Sequence, residues 1–119
     1  MSQAARSVLV FAVYLWIIGA LLVVVPNLLL SLILIPETHE VWIRVVGMLV
    51  LILGYYYYTA AKGELTALMR ATVLGRYSVL VFFIVFVALG LAAPMLLVFG
   101  IIDAAAATWT ALSLRGRNA

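Results

Sequence analysis

Cysteine is absent from this 119-residue chain, which removes disulfide exchange, thiolate metal sites and cysteine lipidation together. Charge is nearly as scarce. Charged residues make up 9% of the chain and hydrophobic ones 69%, whereas an ordinary soluble domain is about 25% charged, so a soluble fold is excluded. The acids are Glu37, Glu40, Glu64 and Asp103, and His39 is the single histidine. One histidine cannot make a bis-histidine haem site; a single axial ligand to haem or chlorophyll is the most it could supply. No G-x-S-x-G, HExxH, phosphate loop or carboxylate pair is present. The expectation is a protein that is not an enzyme, with no catalytic residue, no metal site and no cofactor.

What remains is long apolar runs, at about 7–25, 38–60, 72–93 and 95–114. A bilayer core of about 30 Å needs about 20 residues of helix, and each run comes close to that. Arg6, then Lys62, Arg70 and Arg76, then Arg115 and Arg117 fall on one side of the four spans, and Arg44 alone breaks the pattern. Basic residues are retained on the cytoplasmic side, so both termini are placed in the cytoplasm of a bacterial inner membrane. The fold class expected is all-α, a polytopic four-transmembrane-helix bundle forming a single integral membrane domain over 1–119. The net charge of +3 serves anionic lipid, not nucleic acid. The first run follows Arg6 as a secretory signal would, but lacks an A-x-A-like cleavage site and is expected to stay in place as a span.

The connections carry their own signals. Between Pro26 and Pro36 the segment at about 27–35 is apolar all round but too short to cross. It reads either as an interfacial or re-entrant helix or as a kinked extension of the first span. Pro36, Glu37, Thr38, His39 and Glu40 suit the first turn of the second span, with His39 in a solvated cap. Tyr55, Tyr56, Tyr57 and Tyr58 face every direction on one turn and read as an aromatic belt at the headgroup level. The segment at about 64–74 has Leu65, Leu68, Met69 and Val73 at helical spacing and reads as a short amphipathic helix on the inner leaflet, separated from the third span by Gly75.

Ionisable residues inside spans are functional candidates because they are costly to insert, and there are two, Arg44 and Asp103. Arg44, Gly47, Leu51, Gly54 and Tyr58 follow 3-4 spacing in the second span, as do Gly100, Asp103, Ala107, Thr110 and Leu114 in the fourth. Each is the stripe of a helix-packing seam in which small residues let backbones approach. With both charges about two turns in from the outer ends, the expected structure is a buried Arg44–Asp103 ion pair or ligand site between these helices. Glu40, four residues before Arg44, is the rival partner. The pair would fix helix register, or Asp103 would form a proton or cation site.

The run Trp42-Ile43-Arg44-Val45-Val46-Gly47, with Gly54-Tyr55-Tyr56-Tyr57, Asp103, Trp109-Thr110 and Leu114-Arg115, resembles small uncharacterised four-helix bacterial membrane proteins similar to the DoxX-like group. DoxX is associated with a thiosulfate-to-quinone oxidoreductase, so the resemblance implies an accessory role beside a respiratory complex and no catalytic residue. The residues themselves support a small non-catalytic subunit docking to a larger respiratory or photosynthetic-type membrane complex. The alternative is a small transporter or a hydrophobic-ligand or quinone-binding bundle acting as a homo-oligomer. Expected partners are membrane lipid and either other integral membrane subunits or further copies of the chain.

Overall fold

The structure is a computed structural model that describes residues 1–117 and the side chains as far as Arg115. The side chain of Arg117 and the tail beyond it, expected to be polar, lie outside the described residues. The chain forms α1 (Gln3–Val24), α2 (Pro26–Leu32), α3 (Trp42–Lys62), α4 (Thr66–Ala88), a 3₁₀ turn (Pro94–Leu96) and α5 (Leu97–Arg117), with no strand among the described residues. Four of these helices, α1, α3, α4 and α5 with its 3₁₀ turn, are long and apolar enough to cross a bilayer. The protein is a multi-pass all-α membrane bundle.

Helix packing follows chain order with one addition. α3 lies along α1, α5 lies along α4, and α1 also packs on α5, so the four run in the spatial order α3, α1, α5, α4. α3 and α4 touch sparingly, which leaves the ring of helices thin along one edge. α1 is the most enclosed span and supplies much of the core, with Ala4, Ala5, Val8, Phe11, Ala12 and Leu15 buried at helical spacing.

The small-residue stripes serve as seams, but not with each other. A Cβ on Gly47 would lie 2.8 Å from Leu22 Cβ and 2.9 Å from the Gly19 carbonyl oxygen, and one on Gly54 would lie 2.7 Å from the Trp16 indole. The α3 stripe therefore seats on α1. Gly100 faces Leu80 and Phe83 of α4, and Ala107 is fully buried. Heptad-like spacing defines the stripe, whereas the short connections decide which helix it meets.

Two boundaries differ from expectation with consequences for the site. α3 begins at Trp42 instead of about 38, because the chain from Ile33 to Val41 is a loop: Asn27 Oδ1 accepts from the Thr38 backbone N–H at 2.9 Å, and His39 pairs with Glu37 at 2.7 Å in the open. α4 is one helix from Thr66, so there is no separate amphipathic helix at 64–74. Gly75 has open space around it, and a lone glycine costs a helix about 1 kcal/mol, too little to end a 23-residue span. The segment after Val25 is a separate short helix, since Val25 at φ −135° and ψ 63° leaves the helical region; Pro26, Leu29 and Leu30 are buried beneath it.

The α3–α4 connection is three residues long and tied to the N-terminus. Leu65 N–H reaches back to the Ala60 carbonyl at 2.9 Å, with Glu64 between them at φ 51° in the left-handed region. A non-glycine residue there is strained. Glu64 is held by the start of α1, where the Ser2 N–H and hydroxyl donate to its carboxylate at 2.8 and 2.6 Å. This end of the bundle, with Arg6, Lys62, Arg70 and Arg115, is called the basic end below; the other is the α2 end.

Candidate functional site: a buried arginine beside a lateral cleft

Arg44 and Asp103 do not meet. Starting α3 at Trp42 puts Arg44 in its first turn, at the α2 end, where its Nη1 donates to the carbonyls of Val23 and Val24. Those carbonyls belong to the open C-terminus of α1, which has no partner further along its own helix and carries the negative end of the dipole. Arg44 is exposed and acts as a cap, with neither Asp103 nor Glu40 as its ion pair. Asp103 sits about two turns into α5, as expected, but α5 packs on α4 and α1, and the cation whose charge it feels is Arg76.

Arg76 is the residue the charge pattern misassigned. It was grouped with the cytoplasmic rim, yet it is 1% exposed and the largest fully buried side chain described. Its Cα lies ten residues into α4, about 15 Å from the helix start. Helical side chains lean toward the N-terminus, and Arg76 follows that lean back one turn. Its Nε donates to the Thr72 carbonyl at 3.1 Å, and its Nη2 donates to Thr72 Oγ1 at 3.1 Å and to Thr110 Oγ1 at 3.0 Å.

The hydroxyls around it are tied to one another and to their own helices. Ser7 Oγ donates to the Ala4 carbonyl at 2.7 Å, and Thr110 Oγ1 to the Ala106 carbonyl at 3.3 Å. The two hydroxyls lie 2.6 Å apart, with either able to donate to the other, and the Thr110 oxygen accepts from Arg76. Thr72 likewise gives its hydrogen to the Met69 carbonyl at 2.7 Å. Phe11 and Tyr57 cover the guanidinium, with ring centroids 4.9 and 5.6 Å from Cζ. Every contact that Arg76 makes is thus to a neutral group. Of the five guanidinium N–H bonds, these account for three; Nη1 is buried and makes no hydrogen bond within the chain.

Beside this side chain lies a cleft of about 330 Å³. Its walls are Leu53 and Tyr56 of α3 and Leu68, Ala71 and Gly75 of α4, all exposed, and its floor includes Phe11, Tyr57, Thr72 and Arg76. Asp103 reaches it from α5 without forming an ion pair to Arg76. The cleft is where α3 and α4 fail to close, so it opens sideways between two of the spans. A smaller hollow of about 190 Å³ lies between α4 and α5 toward the basic end, lined by Arg70 and Arg115.

Of the tyrosine run, three side chains are exposed and Tyr57 is turned inward. Tyr57 is buried against Phe11, with centroids 5.5 Å apart, and Tyr56 walls the cleft. Tyr58 lies over Trp16 at 5.6 Å and under the Lys62 ammonium at 5.8 Å, and Tyr55, Tyr56 and Tyr58 all remain exposed. Because α4 starts three residues after α3 ends, this turn is wrapped by α1 and α4 and one tyrosine must face inward. One signal for the site is present in the sequence: Met69, Thr72 and Arg76 fall at 3-4 spacing on one helical face, the buried face of α4, once the helix runs through Gly75. Compared with known proteins, the chain matches no family model, no curated protein and no solved structure.

Proposed function

We propose that the protein is a non-catalytic bundle of the bacterial cytoplasmic membrane that takes a hydrophobic ligand from the bilayer into the cleft between α3 and α4. The observation that carries this reading is the cleft itself, apolar at its mouth, open sideways, and ending on a buried polar cluster. That combination is what ligand pockets have in common, a mostly apolar lining with a few convergent polar groups. An accessory-subunit role would use the exposed apolar faces of α3, α4 and α5, which lipid covers equally well. The cleft pairs an apolar mouth with a buried polar cluster, which supports ligand binding first. Kinship with the DoxX-like group is part of this proposal and contributes no residue to it.

A photoreactive alkyl probe carrying no head group, added to the protein in a phosphatidylcholine bilayer, is expected to crosslink at Tyr56 and Leu68. Gly75→Leu fills the mouth from a position with free space around it and should abolish that labelling without lowering the melting temperature. Labelling scattered over the outer faces of α3, α4 and α5, indifferent to Gly75→Leu, would remove the reading.

The orientation belongs to the same proposal: the basic end faces the cytoplasm, supported by Arg6, Lys62, Arg70 and Arg115 at that end. Single cysteines in place of His39 and Asn118 test it with an impermeant thiol reagent on intact cells. Reaction at 39 and not at 118 is expected; the opposite pattern inverts the topology.

A further inference from the structure

A guanidinium at Arg76's depth calls for a counter-charge. Burying an ion away from water is costly unless it is paired and its hydrogen bonds are met, and here the surrounding groups are two hydroxyls, one carbonyl and two aromatic faces. The aromatic faces and hydroxyls hold the group in place but bring no negative charge, and Asp103, the carboxylate that shares the cleft, forms no ion pair with it. The two N–H bonds on Nη1 are unmet, and the free volume bordering the side chain is the cleft. We infer that the ligand of this cleft is an amphiphile with a singly charged oxygen-acid head group, a carboxylate or a phosphodiester on an apolar chain, bound to the free Nη1 edge of Arg76. This inference rests on the proposed function and adds the chemistry of the head group.

Three features select that class. A planar guanidinium fork matches an oxyanion better than it matches a lone carbonyl, and the charge-assisted bonds are about twice as strong as neutral ones. The mouth is apolar, with Leu53, Leu68 and Tyr56 placed along an alkyl chain that lies toward the bilayer. Asp103 in the same cleft favours one charge over two, because each further negative charge on the head group is repelled by its carboxylate.

Depth separates the two sources of such a head group. Thr72, where the guanidinium is anchored, lies six residues inside α4, about 9 Å from its start. A free long-chain carboxylate can sink to that level, whereas a phospholipid phosphodiester is held nearer the helix ends, and the hollow toward the basic end lined by Arg70 and Arg115 offers it cations there.

The test is displacement of a fluorescent alkyl probe from the wild-type protein in phosphatidylcholine nanodiscs by four competitors: oleate, methyl oleate, oleyl alcohol and phosphatidylglycerol. Oleate is expected to compete roughly ten-fold or more better than its ester and alcohol. That preference should vanish in Arg76→Gln and persist in the Arg70→Gln/Arg115→Gln double variant. An Arg76-dependent preference for phosphatidylglycerol supports the same head-group chemistry with a membrane lipid as its source. Ester and alcohol competing as well as oleate would overturn the head-group inference and leave the hydrophobic cleft intact. No competition by any of the four, with no probe bound at all, would overturn both. The wild-type series requires no variant, so it decides even if Arg76→Gln fails to fold.

Discussion

Arg44 and Arg76 stand in adjacent parts of one bundle and are treated in opposite ways. Around Arg44, at the α2 end, α1 and α3 approach so closely that Gly19 and Gly47 are backbone to backbone, and the arginine lies on the outside and caps a helix. Around Arg76 the helices diverge, the arginine is inside, and the space beside it is free. Close packing thus goes with a cation turned outward to serve structure. Loose packing goes with a cation turned inward and left partly unbonded. Natural cores seldom keep both a void and an unmet buried charge, and their coincidence at Arg76 is what the proposed ligand site rests on.

The largest difference between the two regions should appear when a side chain is added. Gly47→Leu forces atoms into Leu22 Cβ at 2.8 Å and the backbone of Gly19 and Val23 at 2.9 Å, and neither backbone can yield without parting α1 from α3. A loss of about 3 kcal/mol is expected, at the upper end for overpacking. Gly75→Leu, the same change in the loose region, meets nothing within 4 Å and gains helix propensity of up to about 1 kcal/mol. Thermal melts of the two variants in the same detergent measure the contrast. Equal losses would show that the region around Gly75 is as tightly packed as the seam.

Why one region was legible in the sequence and the other was not has a physical explanation. Hydropathy over about 20 residues reports the bilayer, so all four spans could be read directly, and small residues at 3-4 spacing report close approach, so Gly47, Gly54, Gly100 and Ala107 were found as seam positions. Spacing along one helix carries no information about the helix opposite, and the seams were therefore assigned to each other. The Arg44–Asp103 pair failed through a start signal: Pro36 with Glu37 and Glu40 fits a helix N-terminus, but Asn27 pins that stretch as a loop and Arg44 moves from two turns deep to the first turn. Arg76 was hidden because an arginine shortly after Lys62 and Arg70 satisfies the positive-inside pattern by itself. Its burial depends on Ser7 and Thr110, 69 and 34 residues away in sequence, and on a helix that runs through Gly75. Hydroxyls this remote from each other leave no local pattern to read.

The smallest expected effect is the sharpest test of the comparison, because it is a coupling that should be absent. Arg44→Met removes an exposed cap from the end of α1 and should cost about 1 kcal/mol, the usual worth of a cation at a helix C-terminus together with its hydrogen bonds. Asp103→Leu acts in the cleft, on another pair of helices. The double variant should therefore show the sum of the single effects within about 0.5 kcal/mol, as sites without shared partners do. The companion cycle, Arg76→Met with Asp103→Leu, joins two opposite charges that border one cleft in a low-dielectric interior. Removing Arg76 alone leaves Asp103 without its nearest cation, whereas removing both leaves an apolar floor, so a coupling of about 1 kcal/mol or more is expected. Melting temperatures of wild type, the three single variants and the two doubles complete both cycles. Coupling in the Arg44 cycle and none in the Arg76 cycle would return the carboxylate of Asp103 to the α2 end and take away the electrostatic distinction between the two regions.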